Sequence, residues 1–163
     1  MTLCVSFVSC DDDDDDGGNG GFNVNLMIDG KKAPVNDVVA DYTPYDTDLH
    51  LVFYWGDIMK ETLSFVSMRC FGFDIDKIQV GDDLCKDAYG YVDLTLAEEQ
   101  DYGYYGQLDY DGGKVILKNK NVAKKELTVE FQNVIVKRLY NGTKEVTITG
   151  TATVIYDQIN PVN

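Results

Sequence analysis

The chain has 163 residues, enough for one domain with a sizeable core and too few for two full-sized ones. Its formal charge is −14, with six of those charges in the run Asp11 to Asp16; so acidic a body repels phosphate backbones, which excludes nucleic acid as a partner. No stretch approaches the roughly 18 apolar residues of a membrane-spanning helix, and 11 Tyr and 7 Phe among frequent Val, Ile and Thr favour strands.

The opening MTLCVSFVSC is apolar with small residues near its end, and DDDDDDGGNGG follows at once. A greasy segment abutting one that cannot be buried reads as a processing boundary. The tetrapeptide Phe7-Val8-Ser9-Cys10 resembles the lipobox of bacterial lipoproteins, although Phe7 stands where Leu is usual. That resemblance implies cleavage before Cys10 and lipidation of its sulfur. Acidic residues directly after the cysteine, Asp11, Asp12, Asp13 and Asp14, resemble the surface-export signal of Bacteroidetes lipoproteins. The implied location is the outer membrane, facing outwards, with the lipid anchor as the sole membrane contact. The start carries no Lys or Arg and is short for a secretory signal, which predicts a translation start upstream of Met1. Residues 1–9 are thus expected to be a signal remnant and 10–21 a lipidated cysteine with a flexible acidic linker.

The domain is expected over 22–158, with 159–163 a tail. Phe22, Val24, Leu26 and Ile28 alternate with Asn23, Asn25 and Met27, a period-two strand ended by Asp29-Gly30. Leu49, Leu51, Phe53 and Trp55 form a second, closed by Gly56-Asp57. A third is read over Leu63 to Phe73, with Val66, Met68 and Cys70 on one face and Phe65, Phe71 and Phe73 on the other; apolar on both sides, it is expected inside a sheet. Ile75 to Val80 reads as a short strand or an edge segment. Val92, Leu94 and Leu96 alternate in a further strand, and Val115 to Leu117 form another.

Asn141-Gly142 is the preferred dipeptide of a two-residue hairpin loop. Such a loop pairs Tyr140 with Thr143, and then Ile135 with Ile148, Phe131 with Ala152, Val129 with Val154 and Leu127 with Tyr156. The polar row would hold Arg138 opposite Glu145, Gln132 opposite Thr151 and Glu130 opposite Thr153. Asn133 opposite Gly150 interrupts the apolar row, and a bulge or bend is expected there. The fold class is therefore all-β, an antiparallel β-sandwich of about seven to nine strands on a flexible tether. The strand patterns GKVILKN, ELTVEFQNVIV and TITGTATVIY resemble those of small Bacteroidetes surface lipoproteins that fold as β-sandwiches. Fimbrillin-type lipoproteins share the N-terminal signature but are usually longer, two-domain chains.

The chemistry is sparse. His50, the single histidine, lies between Leu49 and Leu51 with no G-x-S-x-G elbow in the chain, and reads as a strand-face residue. Asp74, Asp76, Asp82, Asp83, Asp109 and Asp111 fit no EF-hand spacing and read as solvated turns. No metal, cofactor or catalytic residue is nominated, and the chain is not expected to be an enzyme. Cys70 and Cys85 either close a disulfide, as export permits, or fill the core as small apolar side chains. The remaining candidates are Tyr89, Tyr91, Tyr102, Tyr104, Tyr105 and Tyr110, set among Gly and acidic residues. Rings with polar tips on loops suit sugar stacking or protein recognition, or alternatively alternate into the core. The expected partner is a carbohydrate or envelope protein bound by a non-catalytic module; the alternative is an adhesin-like component assembling through sheet edges.

Overall fold

The computed structural model describes residues 22–60, 62–97, 110–137 and 145–159, and among them ten strands form two five-stranded sheets. In chain order these are β1 (Asn23–Ile28), β2 (Lys31–Lys32), β3 (Asp37–Thr43), β4 (Asp48–Trp55), β5 (Ser64–Cys70), β6 (Gly90–Thr95), β7 (Tyr110–Asn121), β8 (Glu126–Lys137), β9 (Glu145–Ile155) and β10 (Asp157–Gln158). The first sheet runs β2-β1-β9-β8-β7 and the second β10-β3-β4-β5-β6. All pairings are antiparallel except β10 with β3. The chain is thus the all-β sandwich its composition demands.

Alternation builds the core. Leu49, Leu51 and Phe53 of β4 and Val66, Met68 and Cys70 of β5 face the other sheet's Leu127, Val129, Phe131, Ala152 and Val154, and all are buried. Phe53 and Phe131 meet between the sheets edge to face, their ring centres 6.1 Å apart, a geometry that aligns the positive ring edge with the negative face. The turn Asp29-Gly30 takes φ of 48° and 75°, the left-handed pair that a tight hairpin requires, and sets Ile28 opposite Lys31.

The β8–β9 register differs from the sequence reading. Phe131 pairs with Gly150, Val129 with Ala152 and Leu127 with Val154, two residues from expectation; beyond the bulge Ile135 pairs with Thr147 and Lys137 with Glu145, one residue from expectation. A two-residue loop at Asn141-Gly142 would instead place Lys137 opposite Val146; those loop residues lie outside the described ones. The irregularity itself falls where it was expected, between Phe131 and Val134, with Asn133 at φ 50°. The extra residue exchanges the faces, so Val134 and Val136 join Val146 and Ile148 in the core while Ile135 turns to the outer side. Burying Val134 and Val136 in place of Ile135 favours this register.

This irregularity crosses the sheet. Gly113 on β7 has φ 83° and Gly150 on β9 has φ 118°, flanking Asn133. A Cβ on Gly113 would stand 2.1 Å from Asn133 O, and one on Gly150 2.0 Å from Asn25 O. Left-handed backbone therefore recurs on three neighbouring strands, β7, β8 and β9.

The segment after β5 is not the continuous strand expected to Phe73, and Ile75 to Val80 form turns. The strand stops at Cys70, so Phe73 does not share a face with Phe71; it enters the core against Tyr42, ring centres 5.9 Å apart, while Phe71 stays half-exposed. Ile75 and Ile78 are buried below this loop, and Lys120 Nζ donates to both of their carbonyls at 2.7 Å. The loop then makes one helical turn, α1 (Leu84–Asp87), capped by Asp83 accepting from the Cys85 N–H. Leu84 and Ala88 are fully buried, so α1 plugs the sandwich between β6 and β7. Cys70 and Cys85 are both buried, with their thiols free.

Candidate functional site

The two outer sheet faces are unlike. On β8 and β9 the outward residues are Thr128, Glu130, Thr147, Thr151 and Thr153, joined by short polar links such as Thr128 Oγ1 to Thr153 Oγ1 at 3.0 Å. The other sheet sends outwards Asp48, His50 and Tyr54 from β4, Phe65, Ser67 and Arg69 from β5, and Tyr91 and Asp93 from β6. Register places Asp41, His50, Arg69 and Tyr91 in one row across four strands.

Arg69 organises that face. Its Nε donates to both Asp48 carboxylate oxygens at 3.1 and 3.0 Å, and its Cζ lies 4.9 Å from the centre of the Phe71 ring. Phe71 and Tyr91 sit side by side, ring centres 5.8 Å apart and tilted by 33°. The hydrogen bond to Asp48 raises the Arg69 pKa above its ordinary value, so the guanidinium is a permanent charge. His50 Nε2 lies 3.1 Å from Ser67 Oγ, and burial first, then the Arg69 charge, lower its pKa.

Tyr89 completes an aromatic rim. It is 77% exposed, takes φ 49°, and its ring leans on Gly72, where a Cβ would approach Tyr89 Cδ2 to 3.0 Å. A bulky residue in the left-handed region costs about 1 kcal/mol or more. The conformation is held by the Gly72 N–H, which donates to Ala88 O at 3.0 Å. Immediately beyond Gly72 opens a cleft of about 410 Å³, lined by Thr47, Asp74, Lys77, Asp82 and Asp87. Thr47 is also left-handed, at φ 51°, and its backbone carbonyl accepts from the Phe73 N–H at 2.8 Å. Tyr45, on the same turn, is 82% exposed.

The cleft carboxylates double as loop caps. Asp74 accepts from the Asp76 N–H and pairs with Lys77 at 2.7 Å, and the Lys77 hydrogen bond leads in lowering its pKa. Asp82 accepts from the Gln79 N–H and Asp87 from the Asp83 N–H. Asp83 also accepts from the Val115 N–H, tying the loop to β7. Among the described residues no group of three or more His, Cys, Asp or Glu is placed to hold a metal ion. No helix among them is long and apolar enough to cross a membrane.

Of the six tyrosines singled out by sequence, Tyr89 and Tyr91 come together at this rim. Tyr102, Tyr104 and Tyr105 lie outside the described residues, as do Cys10, Asp11, Asp12, Asp13, Asp14 and Asp109. Tyr110 opens β7 opposite Val136, away from the rim's strands. Sequence reasoning passed over Arg69 and Asp48 and read Phe71 only as a strand-face residue. A signal for Arg69 existed, a charge at the outward position between buried Met68 and Cys70, but its partners come from other strands. Comparison with protein-family models, with curated proteins and with solved structures finds no match.

Proposed function

We propose that this protein is a lipid-anchored, outward-facing lipoprotein of the outer membrane whose β-sandwich is a non-catalytic module for carbohydrate. The anchor rests on the lipobox-like Phe7-Val8-Ser9-Cys10 and the aspartates after it. The single observation that carries the binding role is the rim of Phe71, Tyr89 and Tyr91 beside a polar cleft of about 410 Å³. Sugar rings present C–H faces that stack on aromatic faces and hydroxyls that exchange hydrogen bonds with carboxylates and ammonium groups. Asp74, Lys77, Asp82 and Asp87 line that cleft and supply both kinds of partner.

Tyr89 supplies the test. Tyr89→Gly removes the ring while suiting the left-handed backbone, so the variant folds at least as stably as the native chain. On a glycan array the native chain binds, and Tyr89→Gly loses about tenfold or more in affinity, equivalent to about 1.4 kcal/mol; a Tyr104/Tyr105 double alanine variant beside it tests two of the other tyrosines the sequence singles out. A native chain that binds no glycan, or a Tyr89→Gly chain that binds equally, overturns the reading. The anchor is tested separately by the mass of the mature protein from cells, with Cys10→Ala as control: an unmodified full-length chain rejects it.

A structural, adhesin-like role through sheet edges draws on β6, which pairs only with β5 among the described residues. Other edges are guarded: the segment Gly81–Asp83 bonds to Leu117 on β7, and β2 and β10 are two residues each. A strictly monomeric protein in sedimentation rejects that role.

A further inference from the structure

The loop that carries the cleft leaves the sheet at Cys70 and returns at Gly90, and these two residues are register partners on β5 and β6. Gly90 is the point where three segments converge. A Cβ there would stand 2.7 Å from Leu84 O, 3.0 Å from Cys70 Sγ and 3.2 Å from Cys85 Cα. The missing side chain lets α1 settle onto β5, and it leaves Cys70 Sγ and Cys85 Cα no more than about 6 Å apart. A cystine needs Cα atoms about 4.4–6.8 Å apart, and the convergence at Gly90 brings the two residues into one neighbourhood. Both residues are buried, and nothing in the carbohydrate reading uses them.

We propose that Cys70 and Cys85 are a covalent modification site: a dithiol that closes to an intramolecular disulfide by exchange with a small disulfide of the glutathione class, locking α1 and the cleft loop to β5. One cysteine, as thiolate, attacks the small disulfide, forms a mixed disulfide and releases one small thiol. The second cysteine attacks the mixed disulfide at the protein sulfur and releases the other. Two protons and two electrons leave the cysteines, and one small disulfide becomes two small thiols. The folded protein sets the timing. Burial pushes the Cys85 thiol up to about 12 and the Cys70 thiol well above its ordinary value, with Cys85 beside it as the next cause. Thiolates are therefore scarce in the closed fold, exchange runs while the loop is still open, and the finished bond is shielded.

The test uses the full chain with Cys4→Ser and Cys10→Ser, so that only these two thiols remain. It is refolded from denaturant with oxidised or with reduced glutathione, alkylated, and weighed. The expected oxidised product takes up no alkyl group, is about 2 Da lighter than the reduced chain before alkylation, and releases a peptide pair joining Cys70 to Cys85 on digestion. Its α1 amides exchange at least about tenfold more slowly than those of the reduced chain. Two alkylated cysteines or glutathione adducts without a bridge overturn the proposal. A bridged chain that no longer folds overturns it equally, because the bond would then be foreign to this fold.

Discussion

The two sheets bury matched inner faces and present unmatched outer ones. Outside β8 and β9 stand threonines and short ion pairs such as Lys118 with Glu130 at 3.2 Å and Lys137 with Glu145 at 3.1 Å. Outside β4, β5 and β6 stand three aromatic residues, a histidine and a bidentate Arg69–Asp48 pair, with Val52 and Ser67 buried among them. Threonine on an outer sheet face satisfies strand preference and solvation together and needs no further reason. Clustered rings and a part-desolvated ion pair carry costs that folding alone does not demand, which is why the proposed binding role is assigned to the second face.

The inner faces should break first. Phe131→Ala removes the ring that meets Phe53 between the sheets, and a loss of about 3–5 kcal/mol in urea unfolding is expected. Thr151→Ala, one strand away on the outer face, should change stability by less than about 0.5 kcal/mol. A comparable loss at Thr151 would mean that the outer face is not simply solvated.

Next comes the row of left-handed residues across β7, β8 and β9. Gly150→Ala meets Asn25 O at 2.0 Å and keeps φ 118°, so about 3 kcal/mol should be lost. At Gly30, φ is 75° with nothing within 4 Å, and the same substitution should cost only about 1 kcal/mol of backbone strain. Equal losses at both positions would show that conformation, not close approach of β1, makes Gly150 indispensable.

These two regions also mark how far the sequence could be read. Period-two alternation located β1, β4 and β6 and the apolar content of β8 and β9, because burial on one face leaves that imprint in each strand by itself. Asn133 and Gly150 announced the irregularity. The register escaped, because it depends on which of Ile135 or Val134 and Val136 is buried, a competition that spans two strands. Asp37–Thr43 escaped as well: Val38 and Val39 run together between two aspartates and blur the alternation. Tyr89 and Tyr91 were legible as a dense patch of tyrosine. The cleft was not, since Lys120 holding the Ile75 and Ile78 carbonyls and Thr47 holding Phe73 are contacts between residues far apart in the chain.

On the aromatic face, Asp48→Asn sharpens the contrast at smaller energy. The Asp48 side chain is 15% exposed but that of Arg69 is 40%, so screening limits the expected loss to about 1 kcal/mol. The larger consequence is positional. Without the carboxylate Arg69 no longer stays above Phe71, and glycan affinity should fall although no cleft residue has changed. Unchanged affinity would detach the ion pair from the rim and leave it a structural contact.

The smallest effect is the pH dependence that His50 confers. Burial and Arg69 lower its pKa in the folded state, so the unfolded chain binds the proton more readily. Its contribution is fully present above the unfolded value of about 6.5 and is lost as pH falls through the folded value. Below that value both states are protonated and no further loss follows. Denaturant midpoints measured between about pH 5 and pH 7.5 should therefore rise with pH more steeply for the native chain than for His50→Gln. The difference between the two chains reports on one imidazole on the aromatic face. A parallel pair of curves would mean that the His50 proton is as comfortable in the fold as in water, and that this face is wetter than its buried Val52 and Ser67 imply.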